Sequence, residues 1–322
     1  MGRGASRKLL CLVANVKGPT VKTAVLSAAL MIALAGTCGV ADASPPGHTG
    51  EPLIIAHRGG TGDFPENTVL AITNAVASGV DGIWLTVQAS SDGVPVLYRP
   101  SDLATLSDGA GPVNSKTVQQ LEQLNAGWNF TAPGVDGYPY RQQATPIPTL
   151  EQAIAATPPD MPLFLDLKQV PAQPLVSAVA QVLTSTGAAG RSTVYSTDAD
   201  ITDAAVREGG LRVAESRDLT RQRLFNVALN HHCDPPPDPG KWAGFELHRD
   251  VTVTEQFTLG SGISAVNAEV WDAASVECFR SQAGMKVMGF AVKTVDDYRL
   301  ARKIGLDAVL VDSPRAAQQW RH

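Results

Sequence analysis

Residues 53–60 read Leu53-Ile54-Ile55-Ala56-His57-Arg58-Gly59-Gly60, and Pro65-Glu66-Asn67-Thr68 follows at once. The apolar run at 53–56 predicts a buried strand that ends on a His-Arg pair. A glycine loop comes next, and Asn67 or Thr68 supplies a side chain able to cap a helix. Val69, Leu70, Ile72, Ala75 and Val76 fall near helical spacing, so residues 67–78 read as that helix. Strand, polar loop and helix in this order form the repeating piece of a parallel βαβ fold.

The same alternation continues outward from this stretch. Residues 81–88, 94–98, 162–167, 193–195, 212–214, 264–268, 286–292 and 308–311 read as further strands. Residues 117–124, 150–156 and 295–304 read as helices, the last closed by Gly305 as a C-cap. About eight βα units suit a closed barrel better than an open sheet. The fold class expected is therefore α/β, a single (β/α)8 TIM-type barrel over residues 52–322. Residues 217–244 give the weakest pattern, and the run Asp234-Pro235-Pro236-Pro237-Asp238-Pro239-Gly240 reads as a loop. In such a barrel, residues at the C-terminal strand ends line the mouth where active sites lie. His57 and Arg58 hold that position. Arginine binds two phosphate oxygens at once, and histidine moves protons near neutral pH.

Composition agrees with a large folded core: 322 residues, 44% hydrophobic and 18% charged. The first 43 residues read as a secretory signal peptide. Arg3, Arg7, Lys8, Lys17 and Lys22 make a basic region, Ala24 to Gly36 an apolar one, and Ala41-Asp42-Ala43 a cleavage site. The apolar run is too short to span a bilayer, which takes about 20 residues, so no stable membrane anchor is expected. Residues 44–51 form a polar linker. Export to the periplasm or outside the cell is the expectation. The formal net charge of −5 becomes more negative once the basic leader is gone, which argues against nucleic acid as a partner. Cys233 and Cys278 remain after cleavage, and two cysteines in an exported chain suggest one disulfide. His231-His232-Cys233 is also a conceivable zinc or copper cluster. Gly59 to Gly62 lacks the ending of a P-loop, so no nucleotide site is implied.

The ordered motifs resemble those of glycerophosphodiester phosphodiesterases. Ala56-His57-Arg58-Gly59 and Pro65-Glu66-Asn67-Thr68 match that family's opening. Asp92-Gly93-Val94-Pro95-Val96, Ile147-Pro148-Thr149-Leu150-Glu151, Leu165-Asp166-Leu167-Lys168 and Val311-Asp312-Ser313-Pro314 match later motifs in the same order. The resemblance implies a barrel of the phospholipase-C-like phosphodiesterase type. It implies hydrolysis of glycerophosphodiesters to an alcohol and glycerol 3-phosphate. It also implies a calcium or magnesium ion held by carboxylates, an arginine on phosphate and two histidines moving protons. The substrate would be a small phosphodiester or a phospholipid headgroup, and no protein partner is implied.

Several positions depart from that pattern. Where the family has Glu-x-Asp, this chain has Trp84-Leu85-Thr86, and where it has His-Asp, this chain has Arg99-Pro100. The glutamate of its E-x-K strand is Asp166. Asp166 and Glu66 are left as candidate metal ligands, and the expected cation becomes doubtful, since hard cations need several oxygens. Arg58, Lys168 and Arg99 would make a phosphate cradle, with Trp84 as a stacking surface. Three readings follow: a phosphodiesterase with ligands recruited from Asp63, Glu215, Glu246, Glu269 or Asp312; an inactive relative that binds a phosphate-containing ligand; and a metal-independent enzyme in which Arg99 replaces the cation. Trp128 and Phe130 either wall the mouth or simply pack.

Overall fold

A computed structural model describes residues 50–132 and 134–321. The expected signal peptide and most of the expected linker lie outside the described residues. The strands are β1 (Leu53–His57), β2 (Gly82–Ala89), β3 (Pro95–Leu97), β4 (Leu163–Leu167), β5 (Ser192–Tyr195), β6 (Arg212–Val213), β7 (Trp242–Glu246), β8 (His248–Phe257), β9 (Gly260–Glu269), β10 (Lys286–Val292) and β11 (Ala308–Val311). The helices are α1 (Val69–Ala77), α2 (Val118–Leu121), α3 (Leu150–Ala155), α4 (Ala172–Ser185), α5 (Ala199–Glu208), α6 (Arg217–Asn230), α7 (Ala273–Arg280), α8 (Val295–Ile304) and α9 (Pro314–Gln318).

Eight strands run in the order β6-β5-β4-β2-β1-β11-β10-β7 and pair in parallel. The two ends of this order are joined by the hydrogen bond that the Glu215 amide donates to the Trp242 carbonyl, 2.8 Å. The result is a nearly closed (β/α)8 barrel. Successive side chains alternate faces along each strand. Ile54, Ala56, Ile83, Leu85, Leu163 and Leu165 pack outward in one cluster with the helices. Ile55, Trp84, Phe164, Tyr195, Met288, Phe290 and Leu310 pack in a second cluster that fills the barrel. His57, Thr86 and Asp166 are the next inward positions along β1, β2 and β4, so the pleat itself delivers them to the mouth.

The structure corrects three strand expectations. Residues 94–98 do not form a barrel strand: β3 pairs antiparallel with β2, because the Asp92-Gly93 turn, with Gly93 at φ +82°, reverses the chain directly. Residues 264–268 belong to β9, which pairs only with β8 in an antiparallel ribbon outside the barrel. The missing barrel strand is β7, which begins at the end of the weakly patterned region 217–244 and runs past it. Its Gly244 masks the apolar pattern. A Cβ there would come within 2.3 Å of the Phe290 ring, so close packing demands glycine and removes the signal. α6 is likewise a long helix where none was expected, because it buries Arg223 and exposes Leu229. Among the described residues, no helix is long and apolar enough to cross a membrane.

Candidate active site

The His57-Arg58-Gly59-Gly60 turn is built from left-handed backbone. Arg58, Gly59 and Gly60 have φ of +53°, +82° and +104°. A Cβ on Gly59 would press on Ala71 at 2.9 Å, so the turn and α1 approach only through glycine. Asn67, also left-handed at φ +57°, donates its amide to the Arg58 carbonyl at 2.8 Å. Its side-chain oxygen accepts from the Thr86 amide at 2.9 Å. Thr68 then caps α1 by accepting from the Ala71 amide. The motif thus fixes loop, helix and β2 as one unit.

His57 Nδ1 lies 2.6 Å from Asp312 Oδ1, and Thr61 Oγ1 donates to the same oxygen at 2.9 Å. The His57 contact, offset by burial, holds the Asp312 carboxyl below its ordinary range. An ionised carboxylate only accepts, so Nδ1 carries the donated proton and Nε2 is the free acceptor of the neutral ring. Arg58 Nη1 donates to Glu66 Oε2 at 2.7 Å. Lys168 Nζ sits 3.0 Å from Asp166 Oδ1 and donates to Thr197 Oγ1 at 2.6 Å. Burial pushes the Asp166 carboxyl above its ordinary range, against the pull of Lys168. Arg99 is exposed and has no hydrogen-bond or ion-pair partner among the described residues.

These groups share a cavity of about 430 Å³ lined by His57, Arg58, Trp84, Arg99, Asp166 and Lys168 from the sequence reading. Of the five further carboxylates considered, Glu246 and Asp312 line it too. The other three have separate duties. Asp63 accepts from Ser313 Oγ and the Arg315 amide at the start of α9. Glu215 is buried against Arg223 at 2.6 Å. Glu269 lies 3.7 Å from His248 at the foot of the ribbon. Trp84 lies at the cavity floor: it is 5% exposed and packs on Phe164, Tyr195 and Phe290 with centroids 4.9–5.9 Å apart. Phe130 packs on Tyr140, and Arg141 covers Trp128, so neither aromatic reaches the mouth. Cys233 and Cys278 are bonded, with Cα atoms 5.4 Å apart, which removes the Cys233 thiolate from any metal cluster.

The sequence reading missed Tyr195, Thr197, Arg217 and Lys293, all of which line the cavity. Tyr195 and Lys293 end or follow predicted strands, and the strand-end rule was signal enough to find them. Arg217 lies three residues past the predicted strand at 212–214, at the start of α6, a helix that the sequence reading did not see. Burial holds the Tyr195 phenol up at about 12, with the Arg217 guanidinium pulling the other way.

The residues present do not fit the divalent cation that the resemblance implied. Hard cations take six or more oxygens, yet the inward positions at the mouth end of β2 are Trp84 and Thr86, which bring no carboxylate. Glu66 and Asp166 are each already paired with a cationic side chain. Glu66 Oε1, Asn67 Nδ2 and Thr86 Oγ1 are buried without hydrogen-bond partners among the described residues. That mix of donor and acceptors suits a hydroxyl or a water rather than a metal. Among the described residues, no group of three or more His, Cys, Asp or Glu is placed to hold a metal ion.

The sequence profile of the glycerophosphoryl diester phosphodiesterase family matches residues 57–316. The chain is 85% identical over 303 residues to MT2337 of Mycobacterium tuberculosis strain CDC 1551, covering 94% of this chain and 100% of that protein. It is 36% identical over 115 residues to glycerophosphodiester phosphodiesterase 1 of Homo sapiens, a stretch of 35% of this chain and 33% of the human protein. The crystal structure of the glycerophosphoryl diester phosphodiesterase domain of Rv2277c from Mycobacterium tuberculosis is similar at TM-score 0.81 and 85% identity, covering 85% of this chain and 100% of that one. An Oleispira antarctica phosphodiesterase, solved with its product sn-glycerol-3-phosphate, shares the fold at TM-score 0.60 and 23% identity, covering 84% of this chain and 97% of that one.

Proposed function

The chain belongs to the glycerophosphoryl diester phosphodiesterase family, and from that premise we propose that its mouth binds glycerophosphodiesters and hydrolyses them slowly, without a divalent cation. The observation that carries this reading is the His57–Asp312 pair, which leaves Nε2 as a proton acceptor at the mouth beside three cationic side chains. Arg58, Lys168 and Arg99 take the phosphate oxygens. Their charge does the work that a cation would do on the developing negative charge. The glycerol 2-hydroxyl attacks phosphorus, its proton passes to His57 Nε2, and the phosphorus–oxygen bond to the alcohol breaks. A water gives a proton to the departing alkoxide; the hydroxide left behind then adds to phosphorus, the phosphorus–oxygen bond to the 2-oxygen breaks, and His57 returns its proton to that oxygen, giving glycerol 3-phosphate. Arg99 stands where the family places its second histidine, and a guanidinium that never deprotonates is a poor acid. The loss of one proton-transfer group slows such a step by about 10²- to 10⁴-fold.

The same substitutions support a second reading, a catalytically silent relative that keeps the phosphate cradle. Export through a cleaved leader completes the proposal. Residues 24–43 motivate it, and a mature N-terminus at Ser44, read by mass spectrometry of the exported protein, is the expected result.

The deciding experiment is hydrolysis of glycerophosphocholine and glycerophosphoglycerol by mature protein with calcium, with magnesium and with EDTA. A His57→Ala variant runs beside it. The expected result is slow turnover, unchanged by EDTA and abolished in the variant. Turnover that needs added metal would refute the cation-free mechanism. Folded protein that binds glycerol 3-phosphate and turns over neither diester would establish the silent reading.

A further inference from the structure

We infer that the mouth carries a second anion-binding arc, built from Arg217 and Lys293, which selects a phosphodiester whose alcohol bears its own phosphate. This inference rests on the reading of the first arc as a phosphodiester cradle.

The strand order sets the geometry. Around the ring, β1, β2 and β4 are consecutive, and they or their following loops carry Arg58, Arg99 and Lys168. Continuing round, β5 and β6 come next, then β7 across the closure, then β10 and β11. β6 is four strands from β1 in a ring of eight, so Arg217, just after β6, stands across from Arg58. β10 is four strands from β4, so Lys293, just after β10, stands across from Lys168. Both line the one cavity with the first arc. A ligand whose phosphodiester lies on the first arc therefore extends its alcohol toward the second.

Arg217 is held as a binding group. Glu246 takes it on both oxygens at 2.6 Å, and the guanidinium lies over the Phe245 ring at 4.6 Å. Its side chain is 14% exposed, so little rotamer freedom remains to be lost on binding. The charge is not cancelled, because Arg249 also contacts Glu246, at 3.2 Å. Two guanidiniums therefore face one carboxylate. Lys293 is exposed on the rim, and Asp312, which lines the same cavity, is already engaged by His57 and Thr61. Over the whole lining, five cationic side chains meet three carboxylates, in a chain whose net charge is −5.

The arc also excludes an alternative. A quaternary ammonium such as choline is taken by exposed aromatic faces or by free carboxylate. Here Trp84, Tyr195 and Phe290 are 5%, 3% and 8% exposed; Asp166 and Glu246 each have a cationic partner, and Asp312 is engaged by His57 and Thr61. The second arc repels choline and attracts phosphate. The shared chemistry of the ligand is a diester and a monoester phosphate on one small alcohol, either free in solution or as a phosphorylated lipid headgroup.

The test is calorimetry on the full mature chain carrying His57→Ala, which prevents turnover. The probes are sn-glycerol 3-phosphate, glycerophosphocholine, glycerophosphoinositol and glycerophosphoinositol 4-phosphate. The expected result is that the 4-phosphate binds at least tenfold tighter than glycerophosphocholine, with glycerophosphoinositol between them. Adding Lys293→Glu should shrink that ratio to within threefold. The ratio cancels any general weakening, and Lys293 is exposed, so the variant should fold. Equal binding, a preference for choline, or a ratio that Lys293→Glu does not move overturns the inference while the cradle stands. No binding of sn-glycerol 3-phosphate overturns the cradle and the inference together. Sedimentation with phosphatidylcholine vesicles, with and without phosphatidylinositol 4-phosphate, names the source. Capture that needs the phosphorylated lipid assigns the headgroup, and tight binding of the soluble diester without capture assigns the free ligand.

Discussion

On one side of the mouth, His57, Arg58 and Lys168 hang from β1 and β4 by geometry that the backbone dictates. Left-handed residues at 58 to 60, a side-chain bond from Asn67 to β2, and a helix cap at Thr68 leave the chain one path. On the other side, Arg217 and Glu246 are held by packing between distant segments. α6 is pinned by the buried Glu215–Arg223 pair, whose side chains are 2% and 1% exposed, and by Arg223 donating to the Pro235 and Pro236 carbonyls. The disulfide ties the loop after α6 to α7. Both sides present guanidiniums to one cavity, but the first does so through local rules and the second through long-range contacts. That difference predicts where each side can be broken.

The largest effect is expected at Arg223. Arg223→Leu leaves Glu215 buried with only Thr220 as a hydrogen-bond partner. Removing one partner of a buried ion pair costs about 3–5 kcal/mol. Urea unfolding at neutral pH reads this directly. A loss below about 1 kcal/mol would mean that something else pins α6, and the contrast between the sides would be misdrawn. Next comes the double variant Cys233→Ala, Cys278→Ala. It opens a loop of sequence separation 45 and is expected to cost about 2–4 kcal/mol, most of it through the unfolded chain. Reduction of the wild type should lower the urea midpoint to match.

Two carboxylates on the first side sharpen the comparison through pH. Asp312 has a depressed pKa in the folded state, led by its bond to His57. Its contribution to stability is present above the ordinary carboxylate pKa and is lost as pH falls through the depressed value. Asp166 has a raised pKa, led by burial. Its contribution is present below the ordinary carboxylate pKa and is lost as pH rises through the raised value. Asp312→Asn should therefore destabilise at neutral pH and flatten the acid limb of the stability curve. Asp166→Asn should do the opposite and raise the neutral-pH midpoint. Unfolding midpoints across the acid-to-neutral range check both signs. Half-exposed Asp312 is screened by solvent, so its effect is the smaller.

Much of the first side was legible from the sequence, for a reason visible in its residues. Positive φ restricts residue choice, so Gly59 and Gly60 cannot vary freely, and a cap requires an oxygen, as at Thr68. α8 was equally clear, because Thr294 and Gly305 cap its two ends. The second side was hidden. β7 carries a glycine where Phe290 needs room. α6 buries an arginine where a helix pattern expects an apolar residue. Neither exception can be read without knowing what lies against it. Trp84, Thr86 and Arg99 stood out against the motif pattern that the sequence resembles, but how they pack was not legible. Only the aromatic packing shows that Trp84 sits at the cavity floor among Phe164, Tyr195 and Phe290.

The smallest effect is expected on the β8–β9 ribbon, which rises directly after Glu246. Directly opposed residues in an antiparallel pair share a face. The register puts Val251 with Val266, Val253 with Ser264 and Phe257 with Gly260 on one side, and Asp250 with Asn267 and Thr254 with Ile263 on the other. Ile263 is 72% exposed, and the flanking strand positions on both faces are mostly exposed as well. An exposed side chain buries little apolar surface, so its removal forfeits little of the roughly 25 cal/mol per Å² that burial contributes. Ile263→Ser should therefore shift stability by no more than about 0.5 kcal/mol, against the several expected at Arg223. The same urea titration measures both. A loss above about 1 kcal/mol at Ile263 would mean that the ribbon packs against the barrel and helps hold Glu246. The second side of the mouth would then be braced from above as well as from α6.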